Sequence, residues 1–211
     1  MNQLVAAGRA LAAEALVTAF GHVSARTDTG VVITPPRPLG SLHDDDPLLE
    51  LSLEAEELPA GAPGEAWIHW AIYRARPDVN AVCRAQPPTA TVCSVAGTPL
   101  RALHGQGAFL GEEVSVHEDA RLVRSRELGV RVADRLGAGS AVLLRGNGAV
   151  TVGTTVGEAV ARMWVLEASA RINLAAAEPR PLDPEELAAW VEVAPEILER
   201  IWRYPTREET T

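Results

Sequence analysis

An Asn-Gly turn between two apolar runs constrains the fold of this chain more than any other feature. Residues 141–144 and 149–152 are apolar apart from Thr151, and the four residues between them read Arg-Gly-Asn-Gly. Asn-Gly flanked by such runs is the strongest short-range signal for a β-hairpin, because both residues tolerate positive φ angles. Two strands joined by so short a turn are antiparallel. The sequence therefore predicts an antiparallel sheet.

Helices and further strands are predicted on both sides of this hairpin. Helical periodicity and capping signals predict helices over 1–20, 65–76, a short stretch after Pro88, 119–136, 155–177 and 183–204. Apolar runs bounded by turns predict strands at 23–26, 31–34, 49–53 and 79–86. The sequence shows neither an internal repeat nor a linker. We therefore expect one domain over 1–211, an α/β fold with a largely antiparallel sheet.

Composition excludes several classes of function. All 19 basic residues are arginine, so chemistry through a lysine Schiff base is excluded. The formal charge of −9 argues against nucleic-acid and anionic-membrane partners. No run approaches the roughly 20 apolar residues of a membrane span, and residues 1–4 do not resemble a signal peptide. With two cysteines, Cys83 and Cys93, we expect free thiols in a reducing cytoplasm.

Five segments occur in an order typical of one protein family. The sequence resembles the class II aldolase/adducin family, which includes fuculose-phosphate aldolase and related decarboxylases. The resemblance runs from the first predicted helix to about residue 177. The segments that carry it are Gly-His-Val-Ser-Ala-Arg at 21–26, Ile-Thr-Pro at 33–35, Glu65 with Ile-His at 68–69, Arg-Ala-Arg-Pro-Asp-Val-Asn-Ala-Val at 74–82, and Leu-Arg-Gly-Asn-Gly-Ala-Val at 144–150.

The resemblance implies a fold, an assembly and a mechanism. Members are α/β/α sandwiches around a largely antiparallel central sheet, usually tetramers whose active sites lie between subunits. They hold zinc with three histidines and stabilise an enediolate during C–C cleavage, with a glutamate as general acid/base. By this resemblance we expect a single-domain sandwich of class II aldolase type and a homo-oligomer, specifically a tetramer. The predicted helix at 183–204 would be an interface element.

The metal-binding positions of the family are replaced in this chain. The two histidines expected on the strand after Pro-Asp-Val are Arg84 and Gln86, and the third, in the hairpin, is Asn147. Arg84 is a permanent cation that repels a metal ion, and neutral amides bind zinc weakly. We therefore expect no metal and no cofactor. A relocated metal site on His22, His69 and His104 is an alternative that the spacing does not support.

The remaining positions of the family pattern provide candidate site residues. Glu65 matches the catalytic glutamate, and His22, expected to titrate near neutrality, is a second candidate for proton transfer. Arg84 is the candidate that stabilises developing negative charge. Substrate-binding roles are expected for Gly21, Thr34, Gln86 and Asn147.

Each of these residues also has a structural interpretation. Arg84 and Glu65 can form an ion pair that holds an inactive pocket together, and Glu65 can interact with the dipole of its helix. Asn147 can be an ordinary turn residue. Cys83 precedes Arg84 on a strand and should point into the packed interior, whereas His43, His104 and His117 are expected at the surface.

Two functional hypotheses follow. The first is a metal-independent, aldolase-like lyase, expected in secondary metabolism, that acts on a small carbonyl or carboxylate substrate through an enolate-type intermediate. Decarboxylation, retro-aldol cleavage, dehydration and cyclisation all pass through such a state. The second is a non-catalytic scaffold or ligand-binding protein, as in the adducin branch of the family.

Overall fold

A computed structural model describes residues 2–28 and 30–204 of the chain. Position 1, position 29 in the first predicted turn and positions 205–211 of the predicted domain lie outside these ranges. The helices are α1 (Gln3–Ala13), α2 (Ala66–Ala75), α3 (Pro88–Ala96), α4 (Arg126–Leu136), α5 (Val156–Ala175), α6 (Pro184–Glu192) and α7 (Ala194–Arg203). The strands are β1 (His22–Thr27), β2 (Gly30–Ile33), β3 (Leu49–Leu51), β4 (Ala81–Ala85), β5 (Leu100–Arg101), β6 (Glu113–His117), β7 (Ala141–Leu144) and β8 (Ala149–Gly153).

The eight strands form one sheet in the order β3-β2-β1-β4-β8-β7-β6-β5. Every neighbouring pair is antiparallel except β6 and β7, which run parallel. The predicted hairpin is β7–β8, with Leu143 opposite Ala149. The sheet is thus mixed, and the predicted largely antiparallel α/β fold is confirmed.

Alternate residues of the central strand β4 pack against different layers of helices. Ala81, Cys83 and Ala85 face a core formed with α1, α3 and α5, whereas Val82 faces a core formed with α2 and α4. This follows from the two-residue period of a strand, whose successive side chains point to opposite faces. The architecture is therefore a sandwich with helices on both faces of the sheet.

Several predicted boundaries are wrong, for local reasons. The first helix ends at Ala13 rather than near residue 20, because Ala15 has a positive φ of 55°. The helix predicted over 119–136 begins only at Arg126, after the Ser125 cap; upstream, Asp119 accepts hydrogen bonds from Arg121, which favours a turn. The segment 183–204 forms two helices.

The break between α6 and α7 falls at Val193, just before Pro195, whose ring removes a backbone donor from a continuing helix. The predicted N-terminal cap of α6 is present, with Asp183 and Glu186 in a reciprocal capping box. Strands β5 and β6 were not predicted. In the described ranges no helix is both long and apolar enough to span a membrane.

Candidate active site

The candidate site begins on the sheet face that α2 covers. In the β1–β4 ladder His22 lies directly opposite Arg84, and Ser24 lies opposite Val82. Opposite residues in an antiparallel pair project to the same face. Both His22 and Arg84 therefore point into the layer between the sheet and α2, where Arg84 is 1% exposed.

Helix α2 presents a stripe of polar residues to this face. Glu65 stands at its N-terminal boundary, and His69 and Tyr73 follow at intervals of four residues. Residues four apart lie on the same side of a helix. The predicted helix from Glu65 is confirmed, and it brings the carboxylate of Glu65 to the buried guanidinium of Arg84.

The β7–β8 turn brings Asn147 to the same point. Gly148 has a φ of +82°, and a Cβ built on it would lie 2.1 Å from the carbonyl oxygen of Ala85. Only glycine permits so close an approach in this conformation. The turn therefore packs against the end of β4, next to Arg84 and Gln86.

Four side chains form one hydrogen-bonded network at this junction. The Nη2 of Arg84 donates to Glu65 Oε1 at 3.1 Å and to Asn147 Oδ1 at 2.8 Å. Asn147 Nδ2 donates to the same Glu65 oxygen at 3.0 Å, and Gln86 Nε2 donates to Asn147 Oδ1 at 3.1 Å. The structure thus brings together four predicted site residues from three separate segments of the sequence.

Burial controls the protonation of the groups around Arg84. Burial lowers the pKa of the Arg84 guanidinium, and the Glu65 carboxylate opposes this shift. Burial, and then the positive charge of Arg84, lower the pKa of His22 to about 4. The expectation that His22 titrates near neutrality is therefore wrong, and His22 is a neutral imidazole at pH 7.

A second buried chain of hydrogen bonds adjoins the first. Ser24 Oγ lies 2.7 Å from His69 Nδ1 and 2.9 Å from the hydroxyl of Tyr73. The ring centroids of His22 and His69 are 6.5 Å apart, with the rings edge to face. Burial is the main cause that lowers the pKa of His69 and raises that of Tyr73. Both groups are neutral at pH 7.

Unpaired polar atoms are concentrated at this place. Seven buried side-chain nitrogens of the described residues have no hydrogen-bond partner, and four belong to neighbouring side chains of the site: His22 Nδ1, His69 Nε2, Arg84 Nε and Arg84 Nη1. Buried polar groups are normally paired, so each exception calls for an explanation. Here the exceptions include two donor nitrogens of one guanidinium.

Comparison with known proteins places the chain in a family. Residues 2–174 match the model of the Class II Aldolase and Adducin N-terminal domain. The chain belongs to the class II aldolase and adducin family. The matched residues contain the sheet and helices α1 to α5 up to residue 174, and α6 and α7 lie beyond them.

Individual relatives of this chain include decarboxylases. It is 30% identical to 3,4-dihydroxyphthalate decarboxylase from Terrabacter sp. (strain DBF63), over 96% of this chain and 94% of that protein. It is 31% identical to the protein of the same name from Rhodococcus jostii (strain RHA1), over 74% and 71% respectively. Among solved structures, the crystal structure of L-fuculose-1-phosphate aldolase from Thermus thermophilus is similar to this chain, with a TM-score of 0.74 and 34% sequence identity. The match covers 82% of this chain and 91% of the aldolase chain.

The residues at the site do not fit the three-histidine zinc ion that the family resemblance implies. Two of the three positions are amides that are hydrogen-bonded to each other, and the third is a guanidinium that donates to one of them, Asn147. A metal ion needs lone pairs, and Arg84 has none to offer. Within residues 2–28 and 30–204 there is no group of three or more His, Cys, Asp or Glu side chains suited to a metal ion.

The relocated site on His22, His69 and His104 is not assembled. His22 and His69 lie on the α2 face of the sheet, whereas His104 Nε2 is 2.9 Å from the Ser169 hydroxyl of α5. His104 is half-buried and His117 is buried, so the prediction of surface positions for these two is wrong; His43 is exposed. His117 is the last residue of β6, the second strand from one edge of the sheet.

Two predicted substrate-binding residues have structural contacts instead. Thr34 is fully buried, and its hydroxyl accepts a hydrogen bond from the backbone N–H of Val23 at 3.2 Å. Gly21 is a point of close approach, because a Cβ there would lie 2.7 Å from Val17 Cγ1 and 3.2 Å from the carbonyl oxygen of Arg84. Both residues hold the strands that carry the site, and neither is part of the Arg84 network.

Cys83 points away from the site, as predicted. Its side chain lies in the core on the α5 side, and burial raises the pKa of its thiol to about 12. A thiol with so high a pKa is a poor nucleophile at neutral pH. Cys93 is also buried and free.

Two contributors to the site were missed by the sequence analysis. Ser24 lies within a matched segment, two residues after His22 and therefore on the same face of β1. Tyr73 follows Glu65 by two intervals of four residues on α2. These spacings were the signals that could have identified both.

Proposed function

We propose that this protein is a metal-independent lyase that removes carbon dioxide from a small carboxylate substrate through an enolate-type intermediate. The observation that carries the proposal is the buried Arg84 guanidinium, which keeps two donor nitrogens unpaired beside a carboxylate and an amide. An arginine in this setting can donate hydrogen bonds to a substrate oxygen and stabilise the negative charge that develops on it.

Arg84 would act as the electrophile. In a decarboxylation, the bond to the departing carboxylate breaks and its electron pair enters a neighbouring carbonyl, which becomes an enolate oxygen. A fixed cation in a site from which water is largely excluded stabilises that oxygen more strongly than water does. Asn147 and Gln86 would help to bind substrate oxygens through their amide groups.

Glu65 would supply the proton that takes the place of carbon dioxide on carbon. Its side chain is 13% exposed, and its Oε1 is fixed by Arg84 and by Asn147. A carboxyl group with this limited contact to solvent can take up a proton from water and pass it to that carbon. His22 is the alternative carrier, since its Nδ1 has no partner among the described residues.

The relatives favour decarboxylation among the enolate-type reactions. Two proteins about 30% identical to this one are named 3,4-dihydroxyphthalate decarboxylase. We propose the same class of reaction here, and we take 3,4-dihydroxyphthalate as the first substrate to test. In this hydroxyarene the ring carbon that carries the departing carboxylate is protonated first, so that the neighbouring C–OH becomes the carbonyl that receives the electron pair when carbon dioxide leaves. Retro-aldol cleavage, dehydration and cyclisation are the reactions to test next.

The competing proposal is a non-catalytic scaffold of the adducin type. The closed pairing of Arg84 with Glu65 and Asn147 favours it, because such a network also stabilises a pocket that binds nothing. The unpaired Arg84 nitrogens weigh against it, since a purely structural arginine would be expected to use them.

We also propose a homo-oligomer, specifically a tetramer, located in the cytoplasm. Large apolar side chains that are exposed in the single chain support an assembly, among them Phe20 and, on α3, Val92 and Val95. The two free, buried cysteines agree with a reducing compartment.

The test compares single variants at the site with a matched ion pair elsewhere. Arg84→Met should lower kcat by about 10²–10³-fold, as the loss of an oxyanion donor does. Glu65→Gln should lower it by about 10²–10⁴-fold, as expected for a general acid. The controls are Arg37→Met and Asp46→Asn, which disrupt an exposed ion pair and should leave kcat unchanged.

Metal analysis of the same preparations completes the test. We expect activity to survive extensive chelation, with far less than one transition metal ion per chain. A stoichiometric metal whose removal abolishes turnover would contradict the metal-independent mechanism. Full activity of both Arg84→Met and Glu65→Gln would contradict the assigned roles and favour the scaffold.

A further inference from the structure

Arg124 lies against the backbone that precedes the candidate acid. A Cβ built on Gly64 would be 3.2 Å from Arg124 Cγ, 3.6 Å from its Cδ and 3.7 Å from its Nε. The stem of Arg124 therefore occupies the space that any larger residue at position 64 would need. Gly64 is adjacent to Glu65, whose Cα is only about 3.8 Å further along the chain.

The guanidinium of Arg124 is available to a ligand. It is exposed, and it has no hydrogen-bond or ion-pair partner among the described residues. The two neighbouring arginines of the segment are both engaged: Arg121 pairs with Asp119, and Arg126 lies 4.6 Å from the ring centroid of Trp70.

The segment that carries Arg124 is nevertheless anchored. Val123 is 2% exposed in the core beneath α2 and α4, and Ser125 caps α4 by accepting a hydrogen bond from Leu128 N. Fixed residues on both sides hold the Cα of Arg124, and the contact with Gly64 directs its stem. A positioned cation loses less conformational entropy on binding than a freely moving one.

The other charged and titratable groups of the site cancel one another, so Arg124 would provide the net positive charge that attracts an anion. Glu65 neutralises Arg84, and His22 and His69 are neutral at pH 7 because burial lowers the pKa of both. These four groups have no net charge with which to attract an anion. Arg124 adds one positive charge beside Gly64, the residue that precedes Glu65.

We propose that Arg124 is a specificity-determining residue that binds a second carboxylate of the substrate, so that the site selects dicarboxylates over monocarboxylates. The inference rests on the proposed function, in which Arg84 holds the reacting end of the substrate. The second carboxylate is retained in the reaction, and it would lie beside Gly64, where it can reach the guanidinium of Arg124.

Calorimetric titration of the full chain with two unreactive probes tests the proposal. Phthalate carries two carboxylates and benzoate carries one on the same ring. The wild type should bind phthalate about tenfold or more tightly than benzoate, as a charge-assisted hydrogen bond to a second carboxylate provides. Arg124→Met should abolish this preference and leave the affinity for benzoate unchanged.

The control variant is Arg121→Met, in the same exposed segment, which should change neither affinity. A wild type that binds phthalate no better than benzoate, or an Arg124→Met variant that keeps the preference, would overturn the dicarboxylate site. Arg84→Met separates this inference from the proposed function. If that variant binds both probes normally while Arg124→Met loses the preference, the role of Arg84 fails and that of Arg124 stands.

Discussion

His22 is a buried imidazole that lies beside a permanent cation, and this arrangement links the stability of the protein to pH. Its folded-state pKa of about 4 is below the ordinary value of 6.5, so the unfolded chain binds the proton more readily. The stabilisation is complete above pH 6.5 and is lost as the pH falls towards 4. A shift of this size corresponds to about 3 kcal/mol of unfolding free energy.

We predict that His22→Gln reduces the dependence of the unfolding free energy on pH. Urea unfolding of the wild type and the variant at several pH values between 4 and 7 measures this difference. His43→Gln, at an exposed position, is the control and should retain the slope of the wild type. Parallel curves for His22→Gln and the wild type would show that His22 is not the group responsible.

Asn147 and Gln86 offer a second test at the level of single side chains. Asn147 accepts from Arg84 and Gln86 and donates to Glu65, whereas Gln86 makes one bond in this network. Asn147→Ala should therefore cost about 1–3 kcal/mol, because it removes an acceptor from a buried guanidinium. Gln86→Ala should cost about 1 kcal/mol or less. Urea unfolding compares them, and equal losses would contradict the central position of Asn147.

The β7–β8 turn is the element that joins the hairpin to the site. Gly148→Ala would place a methyl group against the Ala85 carbonyl at a φ of +82°, and the turn would have to move away from β4. We predict a loss of stability greater than about 2 kcal/mol, together with a loss of activity as Asn147 separates from Arg84.

Gly97→Ala provides the matched control for this turn. Gly97 also has a positive φ, of 69°, but nothing lies within 4 Å of a Cβ built there. Its substitution should cost only the conformational penalty of about 1–2 kcal/mol. Urea unfolding of both variants measures the difference, and a Gly148→Ala variant no less stable than Gly97→Ala would exclude a role for the close approach.

Elements specified by local signals were predicted from the sequence, and those that depend on distant partners were not. The Asn-Gly turn predicts β7–β8, and Pro77 limits α2. Strand β5 has only two residues, and it is a strand because it pairs with β6. Strand β6 in turn pairs with β7, which follows it in the sequence only after helix α4. No local pattern contains that information.

The same distinction applies to the site. The family motifs identified Glu65, Arg84 and Asn147 as neighbours, and the structure agrees. The burial that suppresses protonation of His22 and the contact of Arg124 with Gly64 arise from the packing of α2 and the segment before α4 on the sheet. The spacing of residues in the sequence does not predict either feature.

At the scale of the whole molecule, exposed apolar residues lie close to the site. Phe20 is 64% exposed and precedes Gly21 and His22. Val95 is 67% exposed on α3, which begins two residues after Gln86, and its Cγ2 lies 3.7 Å from a Cβ built on Gly146 in the turn. Large apolar side chains that stay exposed on a folded chain can mark a surface that a partner covers. We propose that the partner here is a second copy of this chain.

We predict that Val95→Asp weakens the assembly and lowers activity without unfolding the chain, because a charge is introduced into an apolar contact between subunits. Light scattering coupled to gel filtration should give a tetramer for the wild type and a smaller species for the variant. Val130→Asp, on the exposed side of α4, is the control and should remain tetrameric. A wild type that stays monomeric at high concentration would contradict the prediction, as would a Val95→Asp variant that assembles normally, because either result means that no subunit covers this face of the site.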